Sequence, residues 1–183
     1  YFARGAATTG STLSLIGTGG IATRVVGSVA SSEDGSISLR SIDHRAQEDA
    51  RSIEWRGTGT AANTAAIELR LRSSQDLEAE LKKDMLLVMT LQLRETPTAP
   101  VWLSVGCGDR CEGRVRIDTA PGALPLQEWL RIGVPLKCLQ SLGADMRRID
   151  RPLRIETAGR LALGLSRVEL SNNPDRTVKC DAK

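Results

Sequence analysis

Alternation of apolar and polar residues at period 2 dominates this chain from end to end and makes strands its main element. Ile67, Leu69 and Leu71 alternate with Glu68, Arg70 and Arg72, which defines one buried and one wet face. The same pattern recurs in Ile53 and Trp55, in Leu87 to Leu93, in Val101 to Val105, in Val115 with Ile117, and in Leu130 to Val134. Leu161, Leu163 and Leu165 follow it, and then Val168 and Leu170 continue in the opposite phase. A change of phase within one strand needs an extra residue, so a bulge is expected at Arg167.

Short Gly-, Ser-, Thr- and Pro-rich segments separate these runs: 17–20, 31–35, 57–59, 96–100 and 120–125. Short strands with frequent turns point to an all-β, two-sheet antiparallel sandwich. Two short helices are expected. Asp76–Lys83 carries acids early and lysines late, and Leu136–Leu142 is followed by Gly143 as a C-terminal cap. One sandwich domain over 1–171 and a polar tail over 172–183 complete the division.

Composition narrows the function classes. The 183 residues carry 25 basic and 22 acidic side chains, a dispersed net charge of +3 that argues for neither nucleic acid nor membrane as partner. The single histidine, His44, sits beside Asp43 in no recognisable motif and reads as a surface residue rather than a base. The glycine clusters at 17–20 and 57–59 precede no helix, so they cradle no phosphate. The chain begins at Tyr1 without a signal pattern and reads as a fragment or a processed product.

Several segments, in consistent order, resemble the C-terminal galactose-binding-like module of bacterial glycoside hydrolase family 3 β-glucosidases and exo-β-1,3/1,4-glucanases. They are Tyr1-Phe2-Ala3-Arg4-Gly5, then Asp43 to Arg51 with Trp55 beyond it, and the strand Val101 to Cys111 ending in Cys-Gly-Asp-Arg-Cys. Val134 to Cys138 with Gly143 to Met146, and Pro152 to Leu170, complete the set. Leu139 and Leu153 stand where the family pattern has aromatics.

The resemblance implies a jelly-roll accessory domain, non-catalytic, attached to a periplasmic or secreted β-glucan-degrading enzyme. Tyr1 to Gly5 then looks like the segment by which the module follows the catalytic domains. Those domains are the implied partners, with a β-gluco-oligosaccharide as possible ligand. No cofactor is implied, and no catalytic residue is expected in this chain. The rival reading is a purely structural or protein-interaction sandwich with no sugar affinity.

Cys107 and Cys111 flank Gly-Asp-Arg at a strand end and read as a local disulfide, which leaves Cys138 with Cys180. Free thiols or a four-cysteine zinc site are the alternatives. Paired, the cysteines place the parent outside the cytoplasm. Asp43, Gln47, Glu48, Asp49 and Arg51 form the most chemically loaded stretch, and they are candidates for sugar or interdomain contact. Asp43, Glu48 and Asp49 are also candidate ligands for a structural calcium, against a reading as solvated turn residues. Trp55 is in phase with the core. Trp102 and Trp129 are out of phase with their apolar neighbours and are the candidates for an exposed sugar platform, against a reading as filler for a second buried face.

Overall fold

The computed structural model describes residues 1–108, 110–118 and 124–180. Asp109 of the Cys-Gly-Asp-Arg-Cys segment, most of the 120–125 loop and the last three residues of the expected tail lie outside the described residues.

The chain forms a sandwich of two sheets. Its strands are β1 (Phe2–Ala3), β2 (Ala6–Ala7), β3 (Ser11–Ile16), β4 (Ala22–Arg24), β5 (Val29–Ser31), β6 (Ile37–Ile42), β7 (Ala50–Arg56) and β8 (Ala65–Leu71). They continue as β9 (Leu86–Glu95), β10 (Val101–Gly106), β11 (Glu112–Arg116), β12 (Trp129–Pro135), β13 (Arg151–Thr157), β14 (Arg160–Ser171) and β15 (Arg176–Thr177). The two helices fall where expected, as α1 (Glu78–Lys82) and α2 (Leu136–Ser141), and a 3-10 turn occupies Ala61–Asn63. Gly143 takes the positive φ of 115° that a helix C-terminus asks for. Among the described residues no helix is long and apolar enough to cross a membrane.

The larger sheet runs β15-β12-β9-β14-β7-β6-β5, and the smaller runs β11-β10-β13-β8-β3-β4. Strand pairing is antiparallel except for β15, which adds to β12 in parallel. The segment read as a polar tail thus contributes an edge strand, with Val178 buried beneath it. The N-terminal segment read as a connection is likewise folded in: β1 pairs with β14 and Phe2 is core.

The alternating residues meet between the sheets as expected. Leu13, Ile67, Leu69, Leu103 and Ile155 of the smaller sheet face Leu39, Ile53, Met89, Leu91, Leu163 and Val168 of the larger. Trp55 is core too, and its indole N–H donates to the carbonyl of Ala65 at 3.1 Å, tying one sheet to the other. This serves a donor that burial would otherwise strand.

The phase change in β14 is a bulge. Leu165 pairs with Leu91 and Arg167 with Thr90, so Ser166 is skipped. On its other side β14 changes partner at the same point. Leu165 pairs with Arg51 of β7, whereas Arg167 and Val168 pair with Ala3 and Phe2 of β1. The bulge lies where β7 gives out, directly below the loop that leads into it.

Disulfides join Cys107 to Cys111 and Cys138 to Cys180. The first closes the loop from β10 to β11, and the second fixes α2 to the segment after β15. No described cysteine is free, so no thiolate remains for zinc.

Candidate functional site

The loop 43–49, between β6 and β7, is knitted from within. Asp43 Oδ1 accepts the Glu48 backbone N–H at 2.7 Å. Asp49 Oδ1 accepts the His44 N–H at 2.7 Å, and its Oδ2 the Arg45 N–H at 3.1 Å. Burial pushes the Asp49 carboxyl upward, but the backbone donors of His44, Arg45 and Ala46 outweigh it and hold the group below its usual range. Glu48 takes a left-handed backbone, φ 55°, to make the turn. Asp43 and Asp49 therefore spend their oxygens on the loop's own amides. Among the described residues no three His, Cys, Asp or Glu side chains converge as a group that could hold a metal ion.

The loop presents His44 inward over the larger sheet. Its Nδ1 lies 3.0 Å from the hydroxyl of Ser166, the bulge residue. Its ring stacks on Trp129 with centroids 4.1 Å apart and planes 24° from parallel. Trp129 begins β12 opposite Gln92 of β9, which itself lies opposite Gly164 of β14. The indole reaches across β9 to Gly164, where an added Cβ would come 2.9 Å from Trp129 Cη2. Gly164 thus leaves the space that the ring occupies.

Around this ring pair lies a polar groove of ≈ 900 Å³. Its floor carries an ion-paired cluster. Arg131 donates to Glu169 at 3.1 Å and to the Ser171 hydroxyl at 3.0 Å, and Arg167 reaches the other Glu169 oxygen at 3.2 Å. Asp175 accepts the Arg131 backbone N–H at 2.7 Å and closes one side. Arg4 enters from the turn of the β1–β2 hairpin, where φ is 51° at Arg4 and 72° at Gly5, the left-handed pair that a two-residue hairpin loop requires.

Of the residues expected to make contact, Gln47, Glu48, Asp49 and Trp129 line this groove. Asp43 braces the loop without lining it. Arg51 borders a different cleft. Trp102 stands on the outer face of the smaller sheet, with the Arg114 guanidinium over its ring at 4.4 Å. That guanidinium pairs with Glu156 at 2.6 Å, and Arg154 links Glu156 to Glu68 at 2.8 and 3.2 Å. The charged row across the sheet caps the indole, so the two tryptophans do not share a surface. Sequence reasoning missed His44, Arg131, Arg167 and Glu169. The phase change at 165–168 was the available signal, because a bulge redirects a side chain.

His44 and Ser166 form a hydroxyl–imidazole pair, but Asp49 bonds the backbone N–H of His44 rather than its ring. Among the described residues no carboxylate is hydrogen-bonded to the imidazole to orient it as a base. What the groove offers is a ring stack, donors and acceptors, with four described guanidiniums (Arg4, Arg45, Arg131, Arg167) matched by four carboxylates (Glu48, Asp49, Glu169, Asp175). That balance suits an uncharged polar ligand with an apolar face.

The Exop_C family model, described as galactose-binding domain-like, matches residues 14–170. The chain belongs to the Exop_C family. Its fold is that of the extra C-terminal domain X of exo-1,3/1,4-β-glucanase ExoP from a Pseudoalteromonas species. The TM-score is 0.78 at 23% identity, over 100% of this chain and 98% of that one. Against the structure of ExoP itself the TM-score is 0.77 at 22% identity, over 98% of this chain and 21% of the glucanase. The family 30 carbohydrate-binding module of the cellulosomal cellulase Cel9D-Cel44B of Clostridium thermocellum has the same fold, with a TM-score of 0.58 at 13% identity, over 87% of this chain and 94% of that one. No curated protein is similar enough to this Exop_C sequence to count as a match.

Proposed function

We propose that this chain is a non-catalytic accessory module of a β-glucan-degrading glycoside hydrolase, and that it holds a glucan segment in the groove beside His44 and Trp129. The observation that carries the reading is the stacked ring pair set in a charge-balanced polar groove. A neutral sugar has apolar C–H faces and a rim of hydroxyls. The part of the half-buried His44–Trp129 stack that borders the groove serves the first, and Gln47, Arg131, Arg167 and Glu169 serve the second. Membership of the Exop_C family and the likeness to ExoP domain X support the attachment to catalytic domains, where the module positions substrate and stabilises the enzyme. Two disulfides suit an oxidising compartment, periplasmic or secreted.

The test is an NMR titration of the chain with β-1,3- and β-1,4-gluco-oligosaccharides. Saturable binding is expected, lost in Trp129→Ala and unchanged in Trp102→Ala. A flat titration at millimolar sugar overturns the reading. It leaves the second one, a structural module that only packs on its parent. One feature favours that alternative: Ile21, Val26 and Val29 are 59%, 77% and 71% exposed in or beside β4 and β5, which form one edge of each sheet.

A further inference from the structure

His44 covers the surface on which a sugar ring would stack. Its imidazole lies over the Trp129 indole with centroids 4.1 Å apart and planes 24° from parallel, so one face of the indole is already taken. The benzo edge of the same indole rests at Gly164, and Trp129 is left half-buried. The imidazole and a flat ligand ring on that face therefore compete for one place.

The cover is lightly held. Asp49 fixes the backbone N–H of His44 at 2.7 Å and leaves the ring outside the internal bonding of the loop. The ring itself is held by the stack and by the Ser166 hydroxyl, 3.0 Å from Nδ1. One neutral hydrogen bond and one ring pair are each worth little net in water, and a stacked ligand with several hydroxyl contacts can replace both. Arg45 to Glu48 are exposed, and the guanidiniums on the groove floor, Arg131 and Arg167, pair with Glu169 instead of with the loop. His44 and Trp129 both line the ≈ 900 Å³ groove, which gives a displaced ring room to turn away from the sheet while the loop backbone stays in place.

We propose that His44 is an autoinhibitory cover: its ring stands in for the sugar on Trp129, and a bound glucan displaces it by a change of side-chain rotamer. This rests on the glucan reading above and deepens it, taking the ligand from the border of the stack to the indole face beneath His44. The chain then binds with an affinity lowered by the fraction of molecules in which the cover is closed.

The test follows the binding of β-1,3- and β-1,4-glucotetraose to the full chain by NMR, with His44→Ala beside the wild type. His44 is the only histidine, so its ring C–H resonances are read without ambiguity, and the indole ring current holds them upfield while the stack is closed. They are expected to move downfield as the wild type saturates. His44→Ala, which removes the cover and keeps Trp129, is expected to bind more tightly by about fivefold or more. Resonances that stay upfield at saturation put the sugar outside a closed stack; they overturn the proposal and leave the glucan reading standing. A His44→Ala chain with a native amide spectrum that binds no more tightly than the wild type does the same. Absence of saturation in both chains overturns the glucan reading and this proposal with it. In ligand-free Trp129→Ala the His44 resonances are expected downfield from the start, and finding them still upfield overturns the cover itself.

Discussion

His44 joins three elements that lie far apart in the chain, and its protonation reports on all of them. Burial under the loop lowers its pKa; Asp49 opposes this and Arg45 adds to it. The folded value is therefore below the ordinary ~6.5. The ring is neutral above that value in both folded and unfolded states, so its stabilising environment is fully available there. As pH falls from ~6.5 through the folded value, the unfolded chain takes the proton first, and that contribution to stability is lost. Because the chain has one histidine, its ring C–H resonances are unambiguous in a proton NMR titration. The expected midpoint is below 6.5, moving towards 6.5 in Trp129→Ala as the ring loses its cover. A wild-type midpoint at or above 6.5 contradicts the stacked, buried placement. Nothing local in the sequence announces this role: the residue's partner Ser166 is 122 positions away.

Elements were the legible level. The inward phase of β8, β9 and β14 could be read residue by residue, because one buried face per strand leaves only one register compatible with the core. Even the bulge could be read, as the step from Leu165 to Val168. What the alternation does not encode is which loop lies above which strand, since an outward residue is polar whether it meets water or a neighbouring loop. Trp102 and Trp129 were thus equivalent by phase, although one is capped by Arg114 and the other by His44. Arg51 was the opposite case, a polar residue in an inward phase and so visible as an exception. The glycine in β14 allows a direct check of the outer surface. Gly164→Ala puts a methyl group against Trp129 and the Gln92 side chain on a strand flanked on both sides. Overpacking of this kind costs roughly 1–3 kcal/mol. A urea melt is expected to show that loss, together with weaker oligosaccharide binding as the indole is displaced. Full stability with unaltered binding contradicts the placement of Trp129 over Gly164.

At the scale of the molecule, the larger sheet gathers segments from both sequence extremes, and the groove depends on both. Arg4 follows β1, and Asp175 precedes β15. Arg131 hydrogen-bonds Asp175 in both directions, its N–H to the carboxylate and its carbonyl from the Asp175 N–H at 2.8 Å, while Val178 donates to Gly133 at 2.9 Å. The two-residue edge strand is held by these bonds, by the buried Val178 side chain and by the Cys138–Cys180 bridge, whose partners are 42 residues apart. By loop-closure entropy, a bridge of that span stabilises by roughly 4 kcal/mol, and engineered losses often fall short of the full figure. Cys138→Ser with Cys180→Ser is therefore expected to lower stability by about 2–4 kcal/mol in a denaturant melt. The same variant should speed hydrogen exchange at the Val178 amide before any other amide of the larger sheet, because β15 is released first. Measured well below its Tm, it should also bind oligosaccharide more weakly, since Asp175 is no longer held beside Arg131. Loss of stability without loss of binding would separate the strap from the groove and remove Asp175 from the site. Unchanged exchange at Val178 would mean that β15 holds to β12 without the bridge.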